Sequence, residues 1–149
     1  LAKAAVDGRF PRINNVVVVC NHVSLLSGFP ISLLDLGAAL EGASGLVLRE
    51  AVEGESFVFN QAGQEIGLEG LLCVAREDGP PVGNAVKDSL ATKTGPATRD
   101  VLAVLYASRA LVERDEVLAL AERMADGLRD HGHAEETAAW VLTPEDGTR

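Results

Sequence analysis

Hydrophobic positions in this chain follow two periods. From residue 15 the run NVVVVCNHVSLLS carries Val16, Val19, Val23 and Leu26 at three- and four-residue steps. Four consecutive valines favour a strand, but the length and spacing predict a helix over 15–26, closed by Gly28 and Pro30. Ahead of it, LAKAAVD reads as the end of an Ala-rich helix stopped by Gly8, and Pro11 sits in a short loop. The middle changes period. Residues 46–49, 56–59, 65–68 and 71–75 are short apolar stretches bounded by turn formers, the pattern of antiparallel meander strands. Residues 82–99 are rich in Ser, Thr and Gly and predict a loop with little regular structure. VLAVLY at 101–106 suits a buried strand. Val117, Ala121, Met124 and Leu128 then share one face of a helix over 110–131, with Gly132 as its stop.

Helices at both ends around short strands predict an α+β fold in a single domain over 1–149. The polar residues 143–149 are expected to be mobile. The chain opens on Leu1 rather than Met, which leaves room for an upstream part. No apolar run is long enough for a membrane span and no signal-peptide pattern follows Leu1. We expect a cytoplasmic protein.

Charge narrows the partners. Thirteen Lys and Arg face twenty-two Asp and Glu, a net charge of −9. The broad positive field of a nucleic-acid binder is missing. Two segments run the other way. Lys3, Arg9 and Arg12 outnumber Asp7 in residues 1–14, and Lys87, Lys93 and Arg99 outnumber Asp88 in residues 85–99, each +2. A polyanion would approach there, away from residues 109–149, where five Arg face ten acids.

Motifs for chemistry are sparse. There is no GxSxG, Walker loop, GxGxxG or HExxH. Cys20 and His22 alternate, as do His131 and His133, but no further ligand follows at a zinc-like interval. No metal and no cofactor is expected. Cys20 and Cys73 lie in apolar runs and read as buried thiols. Among the paired carboxylates, Glu55 borders the apolar SFVF and reads as a turn-stabilising acceptor of backbone hydrogen bonds.

Pro11, Ile13, Asn14, Asn21, Ser24, Gly28, Pro30, Asp35 and Leu36, in that order, resemble the opening of the B3/B4 domain of the phenylalanyl-tRNA synthetase β subunit. The likeness is closer to the free-standing B3/B4 proteins. It continues through Arg49-Glu50-Ala51, Gly54-Glu55, Phe57, Ser89, Thr92, Thr98 and VLAVLY, and covers about residues 9–107. The resemblance implies a three-layer B3/B4-like domain, an antiparallel β-sandwich core flanked by helices. It also implies post-transfer editing, in which the 3′ end of mischarged tRNA enters a pocket and its aminoacyl ester is hydrolysed.

Carried over position by position, the resemblance makes Asn21 the helix asparagine of that pocket. Ser32, Ser89 and Thr92 would line it, and Lys87, Lys93 and Arg12 would meet tRNA phosphate. Three positions depart from the pattern. Ser32 stands where the synthetase has a histidine, no carboxylate falls near Val104–Tyr106 on the late strand, and Val18 replaces a helix aspartate. Serine cannot carry a proton near neutral pH as imidazole does, so no residue is assigned a catalytic role. Two readings follow. The first is deacylation of mischarged aminoacyl-tRNA in trans. The second is a non-catalytic module that binds an aminoacyl group, an amino acid or a protein. A homodimer through the last helix is a further option.

Overall fold

A short helix α1 (Ala2–Val6) is followed by helix α2 (Asn15–Ser27) in a computed structural model that describes residues 1–10 and 13–143. Helix α2 forms as its spacing predicts, against the strand propensity of its valines. Asn14 caps it, accepting the Val17 N–H at 2.8 Å. Such a cap contributes about 1 kcal/mol. Gly28 ends it at φ +76, in the left-handed region that glycine enters without strain.

Ten further elements follow: β1 (Ile31–Asp35), α3 (Leu36–Leu40), β2 (Leu46–Glu50), β3 (Ser56–Val58), β4 (Glu65–Gly67), β5 (Leu72–Arg76), β6 (Pro81–Asn84), a 3₁₀ turn (Leu90–Thr92), β7 (Val101–Leu105) and α4 (Arg114–Gly132). Helices and antiparallel sheets in one chain make an α+β fold. The strand order is β2-β5-β6, with β1-β7 and β3-β4 as separate pairs. A simple meander was expected. Instead, β3 and β4 form a hairpin inserted between β2 and its true neighbour β5, which pair Leu46↔Arg76 through Glu50↔Leu72.

The segment 82–99 also departs from expectation. Residues Pro81–Asn84 add a strand to β5, and Ser89 caps the 3₁₀ turn through its side chain. Proline is tolerated at a strand's first residue, where its missing N–H breaks no interior ladder bond.

The chain forms two compact units, one from residues 1–29 with the segment from 105 onward, the other over Pro30–Val104. In the first, α2 packs on α4, and the Cys20 thiol lies 3.8 Å from the Met124 sulfur. The second holds two apolar clusters. Leu34, Ala39, Val74 and Val82 form one; Ala51, Phe57, Leu68, Cys73 and Ala75 form the other, with Phe59 and Ile66 packed against it. Both cysteines are buried and neither is in a disulfide. Among the described residues no helix is long and apolar enough to cross a membrane.

Candidate functional site

Strand β6 organises the polar groups of the second unit on its two faces. Gly83 pairs with Val74, and a Cβ built on it would lie 2.9 Å from both Ser32 Oγ and Asp88 Oδ1. Only glycine lets these groups approach the strand. The Ser32 hydroxyl donates to Asp88 Oδ1, and the Leu33 N–H donates to Asp88 Oδ2 at 3.3 Å. Burial pushes the Asp88 carboxyl above its ordinary range, while Ser32, Leu33 and the Lys93 charge pull it back. Ionised, Asp88 accepts only; protonated, it becomes a donor.

The loop after β6 is tied by side chains. Asn84 Oδ1 accepts the N–H groups of Val86 and Lys87, both at 2.8 Å, and the Asn84 N–H donates to the Lys87 carbonyl. This Asx turn fixes Lys87. Thr92 is fully buried, and its hydroxyl donates to the Val82 and Ser89 carbonyls at 3.0 and 3.3 Å. The Ser89 hydroxyl accepts the Ala91 N–H. The hydroxyls of Ser32, Ser89 and Thr92 are thus committed to internal bonds.

Asn84 pairs with Cys73, so its side chain shares the sheet face of the Phe57–Cys73 cluster. On that side Phe59 gathers two cations. The Lys87 ammonium stands 4.8 Å from the Phe59 ring centroid, and the Lys93 ammonium donates to the Phe59 carbonyl at 2.5 Å. Both lysines are exposed. Asn84 is 3% exposed, and its Nδ2 has no hydrogen-bond partner among the described residues.

Of the positions picked from sequence, Ser32, Ser89, Thr92, Lys87 and Lys93 fall within the second unit. Asn21 belongs to the first unit, half-buried on α2. Arg12 and residues 144–149 lie outside the described residues. Sequence reasoning passed over Phe59, Gly83, Asn84 and Asp88. Asp88 gave one signal, as the single acid among the cations and hydroxyls of 85–99.

A second polar cluster is structural. Arg49 grips Glu55 with two bonds of 2.7 and 2.6 Å, and Glu55 also accepts the Val52 N–H. Arg49, then the Val52 N–H, hold the Glu55 carboxyl down at about 2. Glu55 is the turn-stabilising acceptor its sequence context predicts. Arg49 also borders an open hollow of about 340 Å³ with Val47, Glu77, Asp78 and Gly79. Asp35 caps α3 through the Ala38 N–H; the Thr98 hydroxyl, then that N–H, hold its carboxyl below the usual range.

No group of three or more His, Cys, Asp or Glu side chains among the described residues could hold a metal ion. Set beside known proteins, the chain matches no family model and no curated protein.

Proposed function

We propose that this chain is a B3/B4-like module that binds the 3′ end of tRNA, charged or uncharged, through its second unit. One observation carries the reading: Lys87 and Lys93 converge on Phe59. One ammonium over an aromatic ring and a second at the same residue's carbonyl match the chemistry of single-stranded nucleic acid, with phosphates for the cations and a base for the ring. An exposed cation–π contact contributes about 0.5–1 kcal/mol. A base stacked on an aromatic side chain contributes about 1–3 kcal/mol. A base therefore displaces Lys87 from Phe59 and frees its ammonium for phosphate.

Titration with charged and uncharged tRNA at several salt concentrations tests this. Two phosphate contacts on a single strand give a slope of log affinity against log salt of about −1.4. Replacing Lys87 or Lys93 by alanine lowers that slope by about half. Absent binding, or an affinity indifferent to salt, overturns the proposal.

Hydrolysis of the aminoacyl ester in trans is the second reading, favoured by Asp88. A carboxyl pushed up by burial, hydrogen-bonded to a serine hydroxyl, is the pairing expected of a general base and its proton donor. Ser32 is 1% exposed, however, and the other two hydroxyls hold the loop. Binding without turnover is the reading the geometry supports better. Incubation with a panel of mischarged tRNAs separates the two, since ester loss above the buffer rate requires catalysis.

A further inference from the structure

Resting on the tRNA-binding reading, we infer that Asn84 is the base-reading residue of the Lys87–Phe59 face, its Nδ2 donating to an acceptor atom of a nucleobase stacked on Phe59. Three observations bring the side chain there. Register pairs Asn84 with Cys73, on the sheet face against which Phe57 and Phe59 pack. The Asn84 Oδ1 holds the N–H of Lys87, whose ammonium covers the Phe59 ring. The Asn84 Nδ2 is buried and lacks an acceptor among the described residues.

The orientation of the amide is fixed. Two backbone donors on Oδ1 rule out the flipped arrangement, so the group left for a ligand is the Nδ2 donor. A buried donor left unsatisfied is costly, and a ligand acceptor removes that cost. Every nucleobase carries both a stacking face and an edge acceptor. A bare phosphate or an aliphatic amino acid lacks the flat ring that Phe59 accommodates, and a phenylalanine side chain has the ring without an edge acceptor for Nδ2. The departure of Lys87 uncovers the Phe59 ring and sends the cation to the strand's phosphates. The ligand class is thus a single-stranded nucleotide, read by one hydrogen bond and held by one stack.

The test compares a single-stranded RNA hexamer with an abasic hexamer of the same ribose-phosphate backbone. The wild-type chain should bind the base-bearing hexamer roughly tenfold or more tightly. Asn84→Asp retains the acceptor that holds Val86 and Lys87 and replaces the amide donor with a second acceptor. Its added charge weakens both probes alike, so the ratio between them isolates the donor. That ratio should fall roughly fivefold. Should the variant not fold, the side-chain amide resonances of wild-type Asn84 give the second readout. They should shift with the base-bearing hexamer and stay in place with the abasic one.

Equal wild-type affinity for both probes overturns the base-reading role while leaving phosphate binding intact. An unchanged ratio in Asn84→Asp, or an Asn84 amide indifferent to the base, overturns it as well. Failure of the wild type to bind either hexamer removes the tRNA-binding reading itself and this inference with it.

Discussion

Ser32 donates its hydroxyl to Asp88 across 56 positions of chain, tying the first strand of the second unit to the loop after β6. Burial pushes the Asp88 carboxyl upward despite that bond. The unfolded chain therefore releases the proton at a lower pH than the folded chain does. Stability is greater below the ordinary carboxylate value of 3.8 and falls as pH rises toward the raised value. Asp88→Asn abolishes this titration. Its amide nitrogen can donate to Ser32 Oγ while its oxygen accepts the Leu33 N–H, so both contacts survive with the Ser32 bond reversed. Urea unfolding between about pH 3 and pH 7 should show the variant least competitive in acid and gaining on wild type as pH rises. A difference independent of pH would show that Asp88 titrates alike in both states.

Gly83 stands where Ser32, Asp88 and Leu34 close on the strand. An alanine Cβ there meets Ser32 Oγ and Asp88 Oδ1 at 2.9 Å and Leu34 Cδ2 at 3.1 Å. Overpacking of this kind costs about 1–3 kcal/mol. The Gly83→Ala variant should unfold earlier by that amount. It should also enlarge the Asp88 pH effect, because a carboxyl displaced from Ser32 but still buried loses a bond that holds it down. An unchanged denaturation midpoint would mean the neighbours yield freely.

The same strand shows why part of this fold was legible in the sequence and part was not. Helices α2 and α4 declared themselves through three- and four-residue spacing, and β2 and β5 through short apolar runs. Their edges fell within a few residues of the observed ones. Strand β6 did not, because Pro80 and Pro81 read as breakers and Gly83 and Asn84 lack strand propensity. Its formation rests on pairing with β5, which local sequence does not reveal. The site followed the same division. Lys87 and Lys93 were visible as cations in a locally positive stretch. Phe59 was not visible as their meeting point, because it lies 34 positions from Lys93. Asn84 and Asp88 acquire their character only from burial and from partners on other strands. Of the three hydroxyls chosen as pocket groups, Ser89 and Thr92 brace the loop and Ser32 ties β1 to it, bonds that Ser and Thr commonly make at turns.

The Arg49–Glu55 pair carries the opposite pH dependence. Glu55 titrates at about 2 in the folded chain against an ordinary 4.5. Its contribution is fully present above the ordinary value and is lost as pH falls toward the depressed one. Arg49→Met should flatten the acid limb of the stability curve between these values. Some depression remains, because the Val52 N–H still donates to Glu55. Thermal unfolding of the variant and wild type down to about pH 2 reads this directly. Parallel acid limbs would assign the depression to the backbone bond alone.

In the first unit, Gly127 sits inside α4, where glycine is unfavourable by about 1 kcal/mol relative to alanine. Propensity alone therefore predicts that Gly127→Ala stabilises the chain. Packing predicts the reverse. A Cβ at Gly127 falls 2.9 Å from Val19 Cγ1, and Val19 is buried on α2. Relieving that overlap needs the helices to separate or Val19 to leave its rotamer, at about 1–3 kcal/mol. The two effects oppose, and overpacking is the larger through most of its range. Gly127→Ala should therefore be neutral to destabilising by about 2 kcal/mol. Adding Val19→Ala makes room for the new methyl, so the double variant should be more stable than the two separate losses predict. Strict additivity, or a clear gain from Gly127→Ala alone, would mean that α2 and α4 do not press on each other at this point.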